Sequence, residues 1–374
     1  MAGIYIHIPF CKSKCYYCNF YSVASSRYYS SFIPVLLKEA ELQKNYLEGE
    51  KINTVYFGGG TPSLLDHKDL MHIMDKLQEC FEISADAEIS FEANPDDLNN
   101  GKIKELEQSP VNRISIGIQS FFDDDLKYLK RIHSASQAES AVKRCQDAGL
   151  ENISIDLIYG IPTLTDDKWK INLDTSFSLA IPHISAYGLT VETKTALETL
   201  ISKGKALPVN EEQSVRQFKI LMQQMKTNYF IHYEISNFCK EGFISKHNSN
   251  YWKGSKYLGL GPSAHSYNLL SRQWNVADIS EYIEKIEQKK VPAEIEILSN
   301  EQKLNEYIMT SLRTIWGCDI NYIEQTFGSE HKNSLISKAE NYISKGHIIF
   351  NNNILVLTDE GKLFADGIAG DLFE

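Results

Sequence analysis

Over its first 190 residues the chain alternates strand-like and helical segments six times. The strand-like runs are residues 3–8, 54–57, 87–92, 113–119, 152–158 and 183–190, most of them rich in β-branched or aromatic side chains. Between them, apolar residues recur at helical spacing: Phe32, Val35, Leu36, then Leu70, Ile73, Met74, Leu77, and later Trp169, Leu173 and Phe177. Strands joined through helices run parallel, because each helix returns the chain to the edge where the last strand began. Six strands are too few to close an eight-stranded barrel. The expectation is therefore an α/β fold, an open, partial (β/α)6 barrel. In such folds the chemistry gathers at the carboxyl ends of the strands, and Cys11, Gly60, Glu92, Gln119 and Asp156 all fall at or just past a strand end.

The first strand runs through Pro9 into Cys11-Lys12-Ser13-Lys14-Cys15-Tyr16-Tyr17-Cys18. A loop this short can wrap three thiolates around one inorganic core. An iron–sulfur cubane has four irons and normally takes four protein thiolates. Asn19 and Phe20 follow Cys18, so no fourth thiolate stands close by and one iron stays open to a small chelator. The amine and carboxylate of an amino acid can occupy it. A methionine sulfonium carried on that amino acid then lies where one electron cleaves a C–S bond to a carbon radical. Zinc and buried structural cysteines are the competing readings; structural zinc wants four ligands, and only His7 is near enough in sequence to help. Gly58-Gly59-Gly60-Thr61-Pro62 follows the second strand, and glycine lets bare backbone approach a ligand closely. Glu92 ends a strand, where a carboxylate accepts hydrogen bonds from ribose hydroxyls.

A net charge of −11 repels a phosphate backbone, so nucleic acid is not an expected partner. Seven cysteines, an odd number in a long chain, argue for a reducing compartment over a disulfide framework. No apolar stretch reaches membrane-spanning length and no signal-like region precedes the first strand, so a cytoplasmic protein is expected, with peripheral membrane contact left open.

Three regions are expected: residues 1–230 as the barrel, 231–299 as a loop-rich linker region carrying His247-Asn248-Ser249-Asn250-Tyr251-Trp252, and 300–374 as a small C-terminal domain. The last reads as an α+β, winged-helix-like arrangement, with a hairpin turning at Asn351-Asn352-Asn353. Its six Lys/Arg against eleven Asp/Glu over 301–374 suit packing or a protein partner better than DNA.

The C-x3-C-x2-C spacing is the signature of the radical-SAM family. Tyr5-Ile6-His7-Ile8-Pro9-Phe10-Cys11, Gly58–Ser63, Phe91–Pro95, Arg113–Phe121, Arg131–His133 and Ile155–Pro162 together resemble the branch containing oxygen-independent coproporphyrinogen III dehydrogenase and the HemW haem chaperones, and the likeness extends into a HemN-like C-terminal domain. The resemblance implies a radical-SAM barrel in which Cys11, Cys15 and Cys18 hold a [4Fe-4S] cluster. It further implies contacts to S-adenosylmethionine from Tyr5, Tyr17, Gly59, Gly60, Thr61, Glu92, Gln119, Arg131 and Asp156, with Thr190 and His265 tied to a second nucleoside pocket. Two features separate the branches. The dehydrogenase pattern carries another cysteine where this chain has Phe20, and the H-N-x-x-Y-W run matches the haem chaperones. Imidazole and tyrosinate are both axial iron ligands and indole offers a flat face to a macrocycle, so His247, Tyr251 and Trp252 become the expected haem-binding residues, with Cys239 as a second ligand candidate. Free Cys80, Cys145 and Cys318 read as buried small hydrophobes. The implied partners are haem-accepting apoproteins, respiratory membrane enzymes among them, and an electron-donor protein; the chain is expected as a monomer or homodimer. The alternative reading is oxidative decarboxylation of coproporphyrinogen III.

Overall fold

The computed structural model describes all residues 1–374. Six parallel strands, β1 (Ala2–Ile8), β2 (Ile52–Gly59), β3 (Ile83–Ala93), β4 (Arg113–Gln119), β5 (Ile153–Tyr159) and β6 (His183–Gly188), lie side by side in chain order. Strands such as β1 and β4 are buried along nearly their whole length, as parallel strands covered on both faces must be. The helices between them, Tyr29–Leu42, His67–Cys80, Asn100–Glu107, Ala135–Asp147 and Asp166–Ser178 among them, bring Phe32, Leu36, Leu70, Ile73, Leu106, Val142 and Trp169 into one core with the strands. The sheet ends in two free edges and does not close.

It is also twice as wide as the six barrel strands. The region expected as a linker, residues 231–299, instead supplies six strands. The hairpin β7 (Ile231–Glu234) and β8 (Asn237–Cys239) extends the β6 edge antiparallel, while β9 (Tyr257–Leu260) pairs parallel to β1 and leads into the antiparallel meander β10 (His265–Tyr267), β11 (Ser271–Asn275) and β12 (Ala293–Ile297). These strands are three to five residues long, too short for alternation to stand out from loop sequence.

Local expectations fare unevenly. The Tyr29–Leu42 helix has no side-chain cap: Tyr28 precedes it, and Pro34 stands inside the helix. The asparagine turn joins β14 (Ile348–Asn351) to β15 (Ile354–Leu357), with Asn352 and Asn353 both at positive φ, 50° and 62°; paired left-handed residues are what a two-residue hairpin turn needs. With β13 (Cys318–Asp319) these form a three-stranded sheet, packed with helices Asn300–Leu312, Ile320–Phe327 and Ser329–Ser344 around a second core that includes Leu304, Ile323, Leu335 and Leu357. No helix is long and apolar enough to cross a membrane.

Candidate active site

The cysteine loop is clipped at its base. Cys11 N–H donates to the Val23 carbonyl at 3.1 Å and Val23 N–H to that of Pro9 at 2.7 Å. Its tip is held by Tyr16 N–H on the Leu129 carbonyl (3.2 Å), and Lys12 pairs with Asp96 at 2.8 Å and also with Asp97. All three thiols therefore open on one cavity of about 470 Å³ beyond the carboxyl ends of the strands. The Thr61 hydroxyl lies 3.4 Å from Cys11 Sγ, and Arg131 Nη1 3.5 Å from Cys15 Sγ. Burial pushes the Cys11 and Cys18 thiols up.

No three His, Cys, Asp or Glu side chains converge on a single ion position. The only thiols lining the cavity are those of Cys11, Cys15 and Cys18, a donor set that fits a cubane with one open iron better than four-ligand zinc. Arg131 adds to the fit. It is half-buried, with Nη2 donating to Asn94 Oδ1 at 2.6 Å and to the Gly117 carbonyl at 2.7 Å, while its buried Nε has no partner.

The glycines shape the opposite wall. A Cβ on Gly60 would fall 2.7 Å from the carbonyl oxygens of Ile8 and Phe10, and one on Gly59, at φ +104°, would fall 2.5 Å from the His7 ring. Only bare backbone fits that cradle. Glu92 reaches in from β3. Its Oε1 accepts from the Tyr56 hydroxyl at 2.8 Å and its Oε2 from Gly59 N–H at 3.2 Å, while burial pushes the carboxyl up to about 7. Asp156 on β5, hydrogen-bonded by Ser115 at 3.3 Å, is pushed up to about 6 by the same cause. Gln119 ends β4 at φ +71°, beside a register shift between Gly117 and Gln119. Tyr17, Thr190 and these residues share the cavity with the cysteines.

Tyr5 and His265 lie elsewhere. They line an adjoining cavity of about 510 Å³ together with His7, His247, Tyr251 and Tyr257. The two cavities meet along Asn19, Phe20, Tyr56, Gly59, Glu92 and Asn248. The H-N-x-x-Y-W run forms the helix Lys246–Trp252, capped by the Ser245 hydroxyl, which accepts from Asn248 N–H. His247 is 1% exposed, stacked 4.9 Å from the Tyr56 ring, with Nδ1 2.8 Å from the Thr54 hydroxyl and Nε2 2.9 Å from that of Tyr251. Both ring nitrogens are thus engaged, so the imidazole expected as an iron ligand serves the wall as it stands. Trp252 turns away from both cavities, under the Arg313 guanidinium at 5.3 Å. Cys239 is fully buried in β8, where burial pushes its thiol up to about 11, and it offers no second ligand; Cys80, by contrast with Cys145 and Cys318, is partly exposed and close to Glu41.

Asn94, Tyr56 and His7 were not legible as site residues. Asn94 directly follows β3, as Gly60 follows β2, whereas Asp156 lies inside β5 and Tyr56 and His7 are placed by strand register alone.

Residues 5–174 match the radical SAM superfamily and residues 298–364 the HemN C-terminal domain. The chain is 34% identical to a protein named heme chaperone HemW from Bacillus subtilis, over 99% of this chain and 98% of that one. It is also 34% identical to the heme chaperone HemW of Escherichia coli, over 70% of this chain and 69% of that one. In fold it is similar to the solved structure of coproporphyrinogen III oxidase (HemN) from Escherichia coli, with a TM-score of 0.86 at 20% identity, covering 100% of this chain and 90% of that one. With the thiol loop, the glycine cradle and the cavity carboxylates in place, these likenesses assign the chain to the HemW family of radical-SAM proteins.

Proposed function

We propose that this protein binds haem in the cytoplasm and hands it to haem-requiring apoproteins, respiratory enzymes among them, and that it does not decarboxylate coproporphyrinogen. The observation that carries the reading is the end-to-end similarity to a protein named as a heme chaperone, at 34% identity over 99% of the chain. The second cavity supports it. Tyr5, Tyr56, Tyr251 and Tyr257 give it flat, largely apolar walls of the kind that suit a macrocycle. At the seam between the two cavities stands Phe20, 64% exposed, where the dehydrogenase pattern has a cysteine.

Cys11, Cys15 and Cys18 would hold the [4Fe-4S] cluster, and the backbone of Gly59 and Gly60 with Thr61 would receive the amino-acid end of S-adenosylmethionine. Glu92 and Asp156 would take its hydroxyl groups, and Arg131 would offset the negative charge of the cluster thiolates. When bound, this pair of groups supplies one-electron cleavage of a C–S bond to give a carbon radical. Tyr56, Glu92 and Gly59 line both cavities, so a haem in the second would lie beside the S-adenosylmethionine in the first.

The test uses protein purified without oxygen, with its cluster reconstituted. Offered haem, it should give a shifted Soret band at about one haem per chain. Offered coproporphyrinogen III, S-adenosylmethionine and reductant, it should form no protoporphyrinogen. Decarboxylation without haem uptake would overturn the reading in favour of the dehydrogenase.

A further inference from the structure

The haem cavity contains an imidazole that nothing in the fold employs. His265 lies on β10, exposed at the cavity rim, and neither ring nitrogen makes a hydrogen bond within the protein. Its cross-strand neighbour is Trp274 on β11, stacked on the imidazole at 6.2 Å and 28° between planes. Two residues on, Tyr267 pairs across with Arg272, while the intervening Ser266 and Gln273 are buried on the far side of the sheet. Strand alternation therefore puts His265, Tyr267, Arg272 and Trp274 on one face, continuous with the cavity through Tyr257, whose ring is 6.2 Å from that of Tyr267. The face combines flat aromatic surface, an imidazole with a free lone pair, and a guanidinium. Those are the elements that receive a macrocycle, its iron and a propionate. Arg272 now pairs with Glu306 at 2.7 Å, an exchangeable, partly exposed contact.

His247 cannot match this without rearrangement, since freeing its Nε2 breaks the Tyr251 contact and the residue is only 1% exposed. Burial and the nearby Arg272 both lower the pKa of His265, which keeps the ring neutral and able to donate to a metal.

We infer that His265 is the protein ligand to the haem iron, with Arg272 on a propionate, and that His247 positions Tyr251 and Tyr56 in the cavity wall without touching iron. The inference rests on the haem-chaperone reading above. The experiment titrates haem into full-length, cluster-loaded protein and records Soret difference spectra and low-temperature EPR. His265→Ala should lose the imidazole-ligated spectrum, with haem affinity falling about tenfold or more, and added free imidazole should restore that spectrum. Its cluster content should be unchanged. His247→Gln, able to keep one polar contact, should retain the ligated spectrum. The inference is overturned if His265→Ala binds haem with the native spectrum and affinity, if it loses S-adenosylmethionine binding instead, or if imidazole rescues His247→Gln and not His265→Ala. If the unmodified protein takes up no haem, the chaperone reading itself fails and this one with it, a result distinct from the others.

Discussion

Glu92 shows how much chemistry one residue can concentrate. It is half-buried at the seam of the two cavities, with both oxygens engaged and its carboxyl raised to about 7 by desolvation. Ribose hydroxyls are best received by the ionised form, so S-adenosylmethionine affinity should rise between about pH 6 and about pH 8. Glu92→Gln should bind about tenfold more weakly, the cost of one charge-assisted hydrogen bond, and should lose that pH dependence; equilibrium dialysis across the range checks both. At Gly60 a methyl group would meet backbone oxygens that cannot move aside. Gly60→Ala is expected to keep its iron and sulfide but bind no S-adenosylmethionine, and iron retention with undiminished binding would contradict the cradle. At this scale the sequence was most legible where function lies in neighbouring residues, as in Cys11, Cys15, Cys18 and the glycine run. It was least legible where a role comes from register. Tyr56 reaches Glu92 only because β2 and β3 pair as they do, and nothing local distinguishes His247, fully engaged, from His265, free.

Among elements, the six parallel strands could be read because each is long enough to show its pattern and is followed by a helix of a different period. The short strands β7 to β12 could not, and they turned an expected linker into both edges of the sheet. What joins the added edge to the barrel is a polar knot. Glu39, on the Tyr29–Leu42 helix, accepts from Gln43 (2.9 Å), Gly261 N–H (2.8 Å), Asn275 (2.6 Å) and the Tyr282 hydroxyl (2.6 Å), and is fully buried. Burial raises its carboxyl to about 7 despite those four donors. The folded state thus holds this proton more tightly than the unfolded chain does. The resulting contribution to stability is whole below the unfolded value near pH 4 and is lost as pH rises through about 7. Thermal unfolding should show the native protein losing stability from about pH 5 to about pH 8, with a flatter profile for Glu39→Gln. Below about pH 5 that variant should be less stable by about 2 kcal/mol, because its amide turns a donor toward donors, and the gap should narrow as pH rises.

For the whole molecule, the C-terminal unit has its own core, and Arg313 ties it to the sheet. The guanidinium meets buried Glu234 at 3.2 Å and Asp366 at 2.6 Å, and covers the Trp252 ring. Arg313→Met would leave Glu234 buried without its cation, and chemical denaturation should report a loss of about 3 kcal/mol. Because Trp252 ends the helix that carries His247 and Tyr251, the same junction steadies the wall of the second cavity. We propose residues 300–374 as a packing unit that supports this wall. On the proposed reading the molecule joins a radical-SAM frame to a cavity for haem, and transfer of that haem is the step to be tested. The most direct measurement loads the cluster-containing protein with haem, removes free haem, and mixes it with a respiratory apoenzyme. The account expects the Soret signal to pass to the apoenzyme and its activity to return. Haem that stays on this protein, or an apoenzyme that stays inactive while free haem activates it, would contradict the account.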